Sequence, residues 1–351
     1  MNALELMLAE LYTEHGIDLL RLAAGESDDV AAMLDVLIPE LERILRRLDL
    51  TAAAKRDIDA ALKEARALFV TQYGAVADSM LTRLQDLARI EGQFAVESLG
   101  KVIGRRFKAI SENRLSRAVA NMVIQGAPSA DWWGRQGAAA AFRFSQLVRA
   151  GFASGQTTDE IVRQVVGSKG QDPGILAVSK REARALVHTS IQTVANQSRM
   201  EVFQANSGDN GPVRGYRQIS TLDSHTTVIC MAYDMKTWDL EYRPVGHDLP
   251  YNTGCPRHFG CRSVIVPWLK TYRELGLDID EIESTRASMD GQVSDRLDFG
   301  EWLKGKSQAF QDEKLGPGRA DLWRRGVITL SDLLDLRGNP LTLEQLKAQA
   351  K

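Results

Sequence analysis

All three cysteines of this chain and three of its five histidines fall between Asp223 and Pro267. They are Cys230, Cys255 and Cys261, with His225, His247 and His258. Cys255-Pro-Arg-His258-Phe-Gly-Cys261 is a C-x2-H-x2-C array, and Cys230 is supplied from upstream. Thiolates and imidazoles are the ligands zinc prefers, and a structural site takes four of them tetrahedrally. Cys230, Cys255, His258 and Cys261 would make a Cys3His set, with two-residue spacers suited to a tight knuckle. A loop-rich segment with few strands gains most from such a staple, because metal-binding energy is there folding energy. The same residues also read as packing. Cys230 and Cys261 would then be small buried apolar side chains, with His258 bonded to a turn. Both readings stay open at the level of sequence.

The elements that must position these residues are a helix before them and two short strands around them. Ser179-Lys-Arg-Glu182 has the form of a capping box. It opens a helix whose apolar line, Ala183, Val187, Ile191, Val194 and Val202, runs to about Asn206. Residues 213–220 and 262–267 read as strands. Pairing them would bring residue 230 back towards 261.

The rest of the chain reads as helices. Leu4, Met7, Leu8 and Leu11, then Leu19, Leu20 and Leu22, keep helical spacing. Ser27 before Asp28 and Asp29 has the form of an N-cap with an acidic first turn. Thr51 opens a longer pattern through Ile58, Leu62, Phe69, Met80 and Leu87. Residues 126–136, with Trp132 and Trp133, read as a breaker and hinge. A helix follows over 138–150, then Thr157-Thr-Asp-Glu160 as a capping box, then a loop over 167–174. Residues 271–351 return to short helices. The predicted fold is mainly α with a small α+β core: an N-terminal helical bundle or long hairpin, a loop-rich Cys/His core on a long helix, and a short-helix tail. The predicted divisions are 1–125, a connector at 126–176, the core at 177–270 and the tail at 271–351.

The 351 residues are 44% hydrophobic and 26% charged, normal for a globular protein. A net charge of -2 excludes a wholesale nucleic-acid coat. No apolar run approaches the roughly 18 residues that span a bilayer, and the acidic first helix is not a signal peptide. Three cysteines do not make a secreted disulfide framework, which points to a reducing cytoplasm. One local patch is basic: Lys101, Arg105, Arg106, Lys108, Arg114 and Arg117. It reads either as a contact for DNA phosphates or as a solvated helix face.

Asp223-x-His-Thr226-x-x-x-Cys230, followed by Leu-Pro-Tyr-Asn and by Cys-Pro-x-His258-Phe-x-Cys261-Arg262-Ser, resembles the tailed-phage head morphogenesis proteins, the Mu F-like minor head protein family. Asp223, Thr226, Cys230, His258, Cys261 and Arg262 match its pattern, and Thr189, Asn196 and Arg199 match that of its preceding helix. Two positions depart from it: His225 stands where members have Arg, and Thr227 where they have the first Cys of a pair. The resemblance covers about residues 177–270, extends loosely into the tail and does not reach the first 125 residues. It implies a minor structural protein of the virion at the portal vertex or head interior, assembled in the host cytoplasm. Its partners would be the portal protein, the major capsid protein and genomic DNA, with multiple copies per particle. Its role would be in head assembly or in genome packaging and ejection. Asp223, Thr226 and Arg262 would be structural. The alternative is a metal-dependent nuclease or other enzyme acting on nucleic acid, with Asp223 and His225 near a metal. No His-Glu-x-x-His, Gly-x-Ser-x-Gly or phosphate-cradling glycine loop supports that alternative, and no catalytic residue is assigned.

Overall fold

Helical periodicity holds over most of the chain. A computed structural model describes residues 3–48, 55–167, 174–208, 211–271, 273–275, 285–294 and 296–349. The helices of the first 205 residues are α1 (Ala3–Asp35), α2 (Leu37–Arg46), α3 (Lys55–Ile103), α4 (Glu112–Ala120), α5 (Ser129–Ala153), α6 (Thr158–Val166) and α7 (Gly174–Ala205). A two-residue hairpin of β1 (Val123–Ile124) and β2 (Ala127–Pro128) precedes α5. After α7 come β3 (Val213–Ile219), α8 (Val228–Tyr233), β4 (Thr237–Asp239), β5 (Pro244–Val245) and β6 (Val264–Leu269). A hairpin of β7 (Thr285–Ser288) and β8 (Gly291–Ser294) leads to α9 (Phe299–Lys304), α10 (Gln308–Leu315), α11 (Pro317–Arg324) and α12 (Leu343–Gln349). The fold is mainly α with a small α+β core, as the sequence predicts.

Capping explains where some helices start and why others run on. Thr157 Oγ1 accepts the Glu160 amide at 3.3 Å, and the Thr157 amide donates to the Glu160 carboxylate at 2.7 Å, so α6 opens on a capping box. Ser27 and Ser179 do not cap. The Ser27 hydroxyl donates to the Ala23 carbonyl at 2.6 Å inside α1, and Ser179 Oγ accepts from Arg143 at 3.1 Å inside α7. A serine that back-bonds its own helix or meets a distant guanidinium no longer competes for the helix start. The breaker expected over 126–136 narrows to the turn Gln125-Gly126, both at positive φ, and the two tryptophans sit on α5. Thr51, and most of the expected loop at 167–174, lie outside the described residues.

The main sheet has the order β5-β4-β3-β6 and is antiparallel throughout. Tyr216 faces Trp238 on one side and Pro267 on the other, and Ile219 faces Val264. Gly215 is required where the strands come closest: a Cβ there would lie 2.1 Å from the Trp238 carbonyl. The tail, read as helices alone, also carries β7 and β8. Met289-Asp290 forms the turn between them, and Gly291, at φ +110°, opens β8 opposite Ser288.

The chain forms two compact units. One comprises Met1–Leu19, Leu87–Ala118 and Gln192–Lys351, the other Leu20–Asp86 and Val119–Ile191. The predicted divisions at 125, 176 and 270 follow breaks in the helices, whereas the units gather separated segments, because α1, α3 and α7 each contribute to both. In the sheet-bearing unit Leu8 and Tyr12 of α1, Leu99 of α3 and Phe203 of α7 pack with Tyr216, Trp238, Ile265 and Val266 of the sheet. Glu5 accepts the Leu269 amide at 2.9 Å and pairs with Arg217 at 2.5 Å. Glu91 and Arg199, both fully buried, pair at 2.6 Å, and His15 Nε2 lies 2.5 Å from the other Glu91 oxygen. Burial opposes ionisation of Glu91, yet Arg199 and His15 together hold it below the usual glutamate range. A second apolar cluster joins Phe299, Trp302, Leu315, Trp323 and Leu346 of the tail helices to Leu222 and Met231.

Asn196 fixes α7 to the sheet: its Oδ1 accepts the Ile265 amide at 3.1 Å and its Nδ2 donates to the Gln192 carbonyl at 2.9 Å. Asn196→Ala leaves a buried strand N–H without a partner. It should cost about 1–3 kcal/mol in urea unfolding. A loss under about 0.5 kcal/mol would show that the amide bond does not hold the sheet.

Candidate metal centre

The site is built by two turns that β3 and β6 bring together. The first is organised by the Asp223 carboxylate, whose Oδ1 accepts the amides of His225 at 2.9 Å and Thr226 at 3.0 Å. The Thr226 hydroxyl donates to the Thr221 carbonyl at 2.6 Å and closes the turn. Arg262, at the start of the second strand region, grips Asp223 with two bonds of 2.6 and 2.7 Å. This is the planar, bidentate geometry that gives an arginine–carboxylate pair its specificity. Partial burial works against the Asp223 charge, but Arg262 and the His225 amide outweigh it and hold the carboxyl below the usual aspartate range.

Thr227 then caps α8, accepting the Cys230 amide at 3.4 Å, and places Cys230 on the first turn of that helix. The second turn is closed by the Cys261 amide, which donates to the His258 carbonyl at 3.1 Å. Ser220 links the two: its hydroxyl donates to the Cys230 carbonyl at 2.8 Å and accepts from Ser263 at 3.0 Å.

Cys230 Sγ lies 3.3 Å from His258 Nε2 and 3.5 Å from Cys261 Sγ. These three donor atoms all lie within 4.8 Å of one another, close enough to hold one metal ion. Tetrahedral zinc with sulfur ligands at about 2.3 Å sets its sulfurs ~3.8 Å apart, so the pair at 3.5 Å needs an adjustment of only a few tenths of an ångström. The imidazole is oriented for such a role. His258 Nδ1 is 2.9 Å from the Phe259 carbonyl, which can only accept, so in the neutral ring the proton belongs on Nδ1. The Nε2 lone pair then faces Cys230 and the Thr227 hydroxyl, the latter at 2.8 Å. A ligating histidine commonly has its other nitrogen fixed in this way.

The thiols of Cys230 and Cys255 both bond to the Cys261 sulfur and pull its pKa well below the ordinary value. Cys230 is pushed up by its bond to Cys261 and by burial, and Cys255 chiefly by burial. Cys255 therefore adjoins Cys261 but stands outside the group of three whose donors converge. The sequence offers it as a fourth ligand; the Thr227 hydroxyl also adjoins the cluster, 2.8 Å from His258 Nε2.

The remaining motif residues have separate positions. Asn196 bonds β6 and Arg199 pairs with Glu91, as described above. Thr189 belongs to the other unit and back-bonds the Ala185 carbonyl at 2.8 Å. Lys101, Arg105, Arg106, Lys108, Arg114 and Arg117 are all exposed on the end of α3, the link after it and α4. One buried group was not foreseen. Asp234 accepts the Ser220 amide at 2.8 Å and pairs with Arg286, which also donates to the Ser220 carbonyl at 2.6 Å. Arg286 comes from the stretch read as helix, so no spacing signal connects it to Asp234. Comparison with protein-family models, with curated proteins and with solved structures gave no match.

The Asp223–Arg262 pair has a pH signature. Because the folded-state pKa of Asp223 is lowered, its contribution is present above the unfolded aspartate pKa near ~4 and is lost as pH falls through the folded value below it. Asp223→Asn should destabilise by about 2 kcal/mol at neutral pH. The gap in urea midpoints between wild type and variant should stay constant above about pH 5 and shrink below about pH 4. A gap that does not change with pH would mean that the charge on Asp223 is not what holds the turn.

Proposed function

We propose that the chain is a minor head protein of a tailed phage that acts by binding, at the portal vertex or in the capsid interior. One observation carries the reading. Six of the residues by which the sequence resembles that family are spread over the 40 positions from Asp223 to Arg262, yet Asp223, Thr226 and Arg262 form one bonded turn beside the converging donors of Cys230, His258 and Cys261. Asn196, from the family's helix pattern, bonds the strand that leads out of this group. These are roles in holding a surface together, which is what a binding protein of an assembled shell requires. The portal protein is the partner proposed first, the major capsid protein second.

The same reading makes the cluster a structural zinc site. Cys230, His258 and Cys261 would hold the ion, with Thr227 and Cys255 at its edge. Thiolate-rich zinc sites are mostly closed and structural. The ion would cross-link α8 to the 255–261 turn, two segments that already pack in one apolar cluster and meet where Arg257 lies over the Tyr233 ring at 3.3 Å. No helix among the described residues is long and apolar enough to cross a membrane.

Co-expression with the portal and capsid proteins of the same genome tests the assignment. The chain should sediment with portal rings or procapsids and should stay with them at about 0.15 M salt. A protein that remains at the top of the gradient in the presence of both assemblies would overturn the assignment.

A further inference from the structure

The basic stretch 101–117 is held as a formed surface. Lys101 lies on the last turn of α3, Arg105, Arg106 and Lys108 on the link, and Arg114 and Arg117 on α4, and all six are exposed. The link is clamped to the end of α7. The Lys108 amide donates to Asn206 Oδ1 at 2.8 Å, and Asn206 Nδ2 donates to the Lys108 carbonyl at 2.9 Å. Phe107 and Ile110 turn into the sheet-bearing core. Leu115 packs α4 onto α3 at Gly92, where a Cβ would come within 2.8 Å of it. Arg114 is further tied to Glu201 at 2.6 Å.

Inward Phe107 sends its neighbours outward. Arg106 and Lys108, on either side of it, are both exposed. Glu112 is the one acid of this stretch. Lys101, Arg106 and Lys108 have no acidic partner among the described residues. The dipole of α3 accounts for a cation at Lys101 but falls off within the last turn, so it does not account for Arg106 and Lys108 beyond it.

We infer that this surface binds the phosphate backbone of double-stranded DNA. Cations fixed by a clamped backbone lose little freedom on binding, and each phosphate they neutralise releases counterions. Single-stranded nucleic acid is held by stacking on exposed aromatic rings. The one aromatic residue of this stretch, Phe107, is half-buried against the core with Arg105 over its ring at 5.3 Å, which favours the duplex. Phosphate contacts of this kind read no sequence. The inference does not rest on the assignment to a phage head.

The test is fluorescence anisotropy of the full chain with a short labelled duplex of mixed sequence, from about 50 to 200 mM salt. For roughly five phosphate contacts, log K should fall linearly with log salt with a slope of about −4 to −5. The triple variant Arg105→Ser, Arg106→Ser, Lys108→Ser should lose about two to three units of that slope and bind at least ~10-fold more weakly at the lowest salt. Its fold is checked by circular dichroism and its urea midpoint. The charge-keeping variant Arg106→Lys, Lys108→Arg should bind as the wild type does, which separates loss of charge from loss of fold. Failure to bind at about 50 mM salt, or a triple variant with an unchanged slope, would overturn the inference. So would tighter binding to single strands, or equal binding to polyglutamate, which would mark the surface as one for an acidic protein. A negative result here leaves the sedimentation test of the head assignment untouched.

Discussion

The antiparallel pairing of β3 with β6 is the constraint on which the rest of the sheet-bearing unit depends. Ile219 sits opposite Val264, so the turn that leaves β3 and the turn that enters β6 emerge side by side. Three contacts of the candidate centre straddle that junction: Ser220 with Ser263, Asp223 with Arg262, and Cys230 with Cys261. A slip of one residue would turn the apolar side chains of β6 to the opposite face and offset the two turns from each other. The register is held from behind by Asn196 and along the other edge by Gly215, which alone lets the Trp238 carbonyl approach.

Buried ion pairs specify how the long helices meet this sheet. Glu5 and Arg217 join α1 to β3, Glu91 and Arg199 join α3 to α7, and Asp234 and Arg286 join the end of α8 to the β7 strand. Such pairs contribute little net stability over apolar substitutes, because desolvation offsets their attraction. Removing one partner is another matter, since the other charge is then buried alone. Each pair therefore penalises alternative packings of helices whose apolar stripes would otherwise fit several ways. Arg199 is the extreme case: it is fully buried, its guanidinium 4.8 Å from the Tyr12 ring centre.

Much of this was legible because helical periodicity and local capping are short-range properties. Thr157 and Glu160 satisfy each other within one turn, and their sequence says so. Ser27 and Ser179 carry the same local signal, but Ser27 back-bonds the Ala23 carbonyl four residues earlier in its own helix, and Ser179 meets Arg143, which lies 36 residues away. The second strand was placed two residues early because Arg262 and Ser263 look like strand residues, while their side chains are committed to Asp223 and Ser220. The β7–β8 hairpin turns on Met289-Asp290, with Gly291 already inside β8, and lies next to a stretch of short helices. At the centre, residue types and spacing identified Cys230, His258 and Cys261. They could not show that Cys255 adjoins Cys261 from the core side, nor that Thr227 faces the imidazole. The Asp234–Arg286 pair depends wholly on tertiary structure.

The account rests on the convergence of two thiols and one imidazole being a metal site and not mere packing. Elemental analysis of protein purified without chelators, from cells grown with ample zinc, tests this most directly. The account predicts close to one equivalent of zinc per chain, lost in Cys261→Ser together with the fold of the segment between β3 and β6. Less than roughly a tenth of an equivalent, with Cys261→Ser still folded and destabilised by only about 1–2 kcal/mol, would contradict it and leave three buried thiols that only pack.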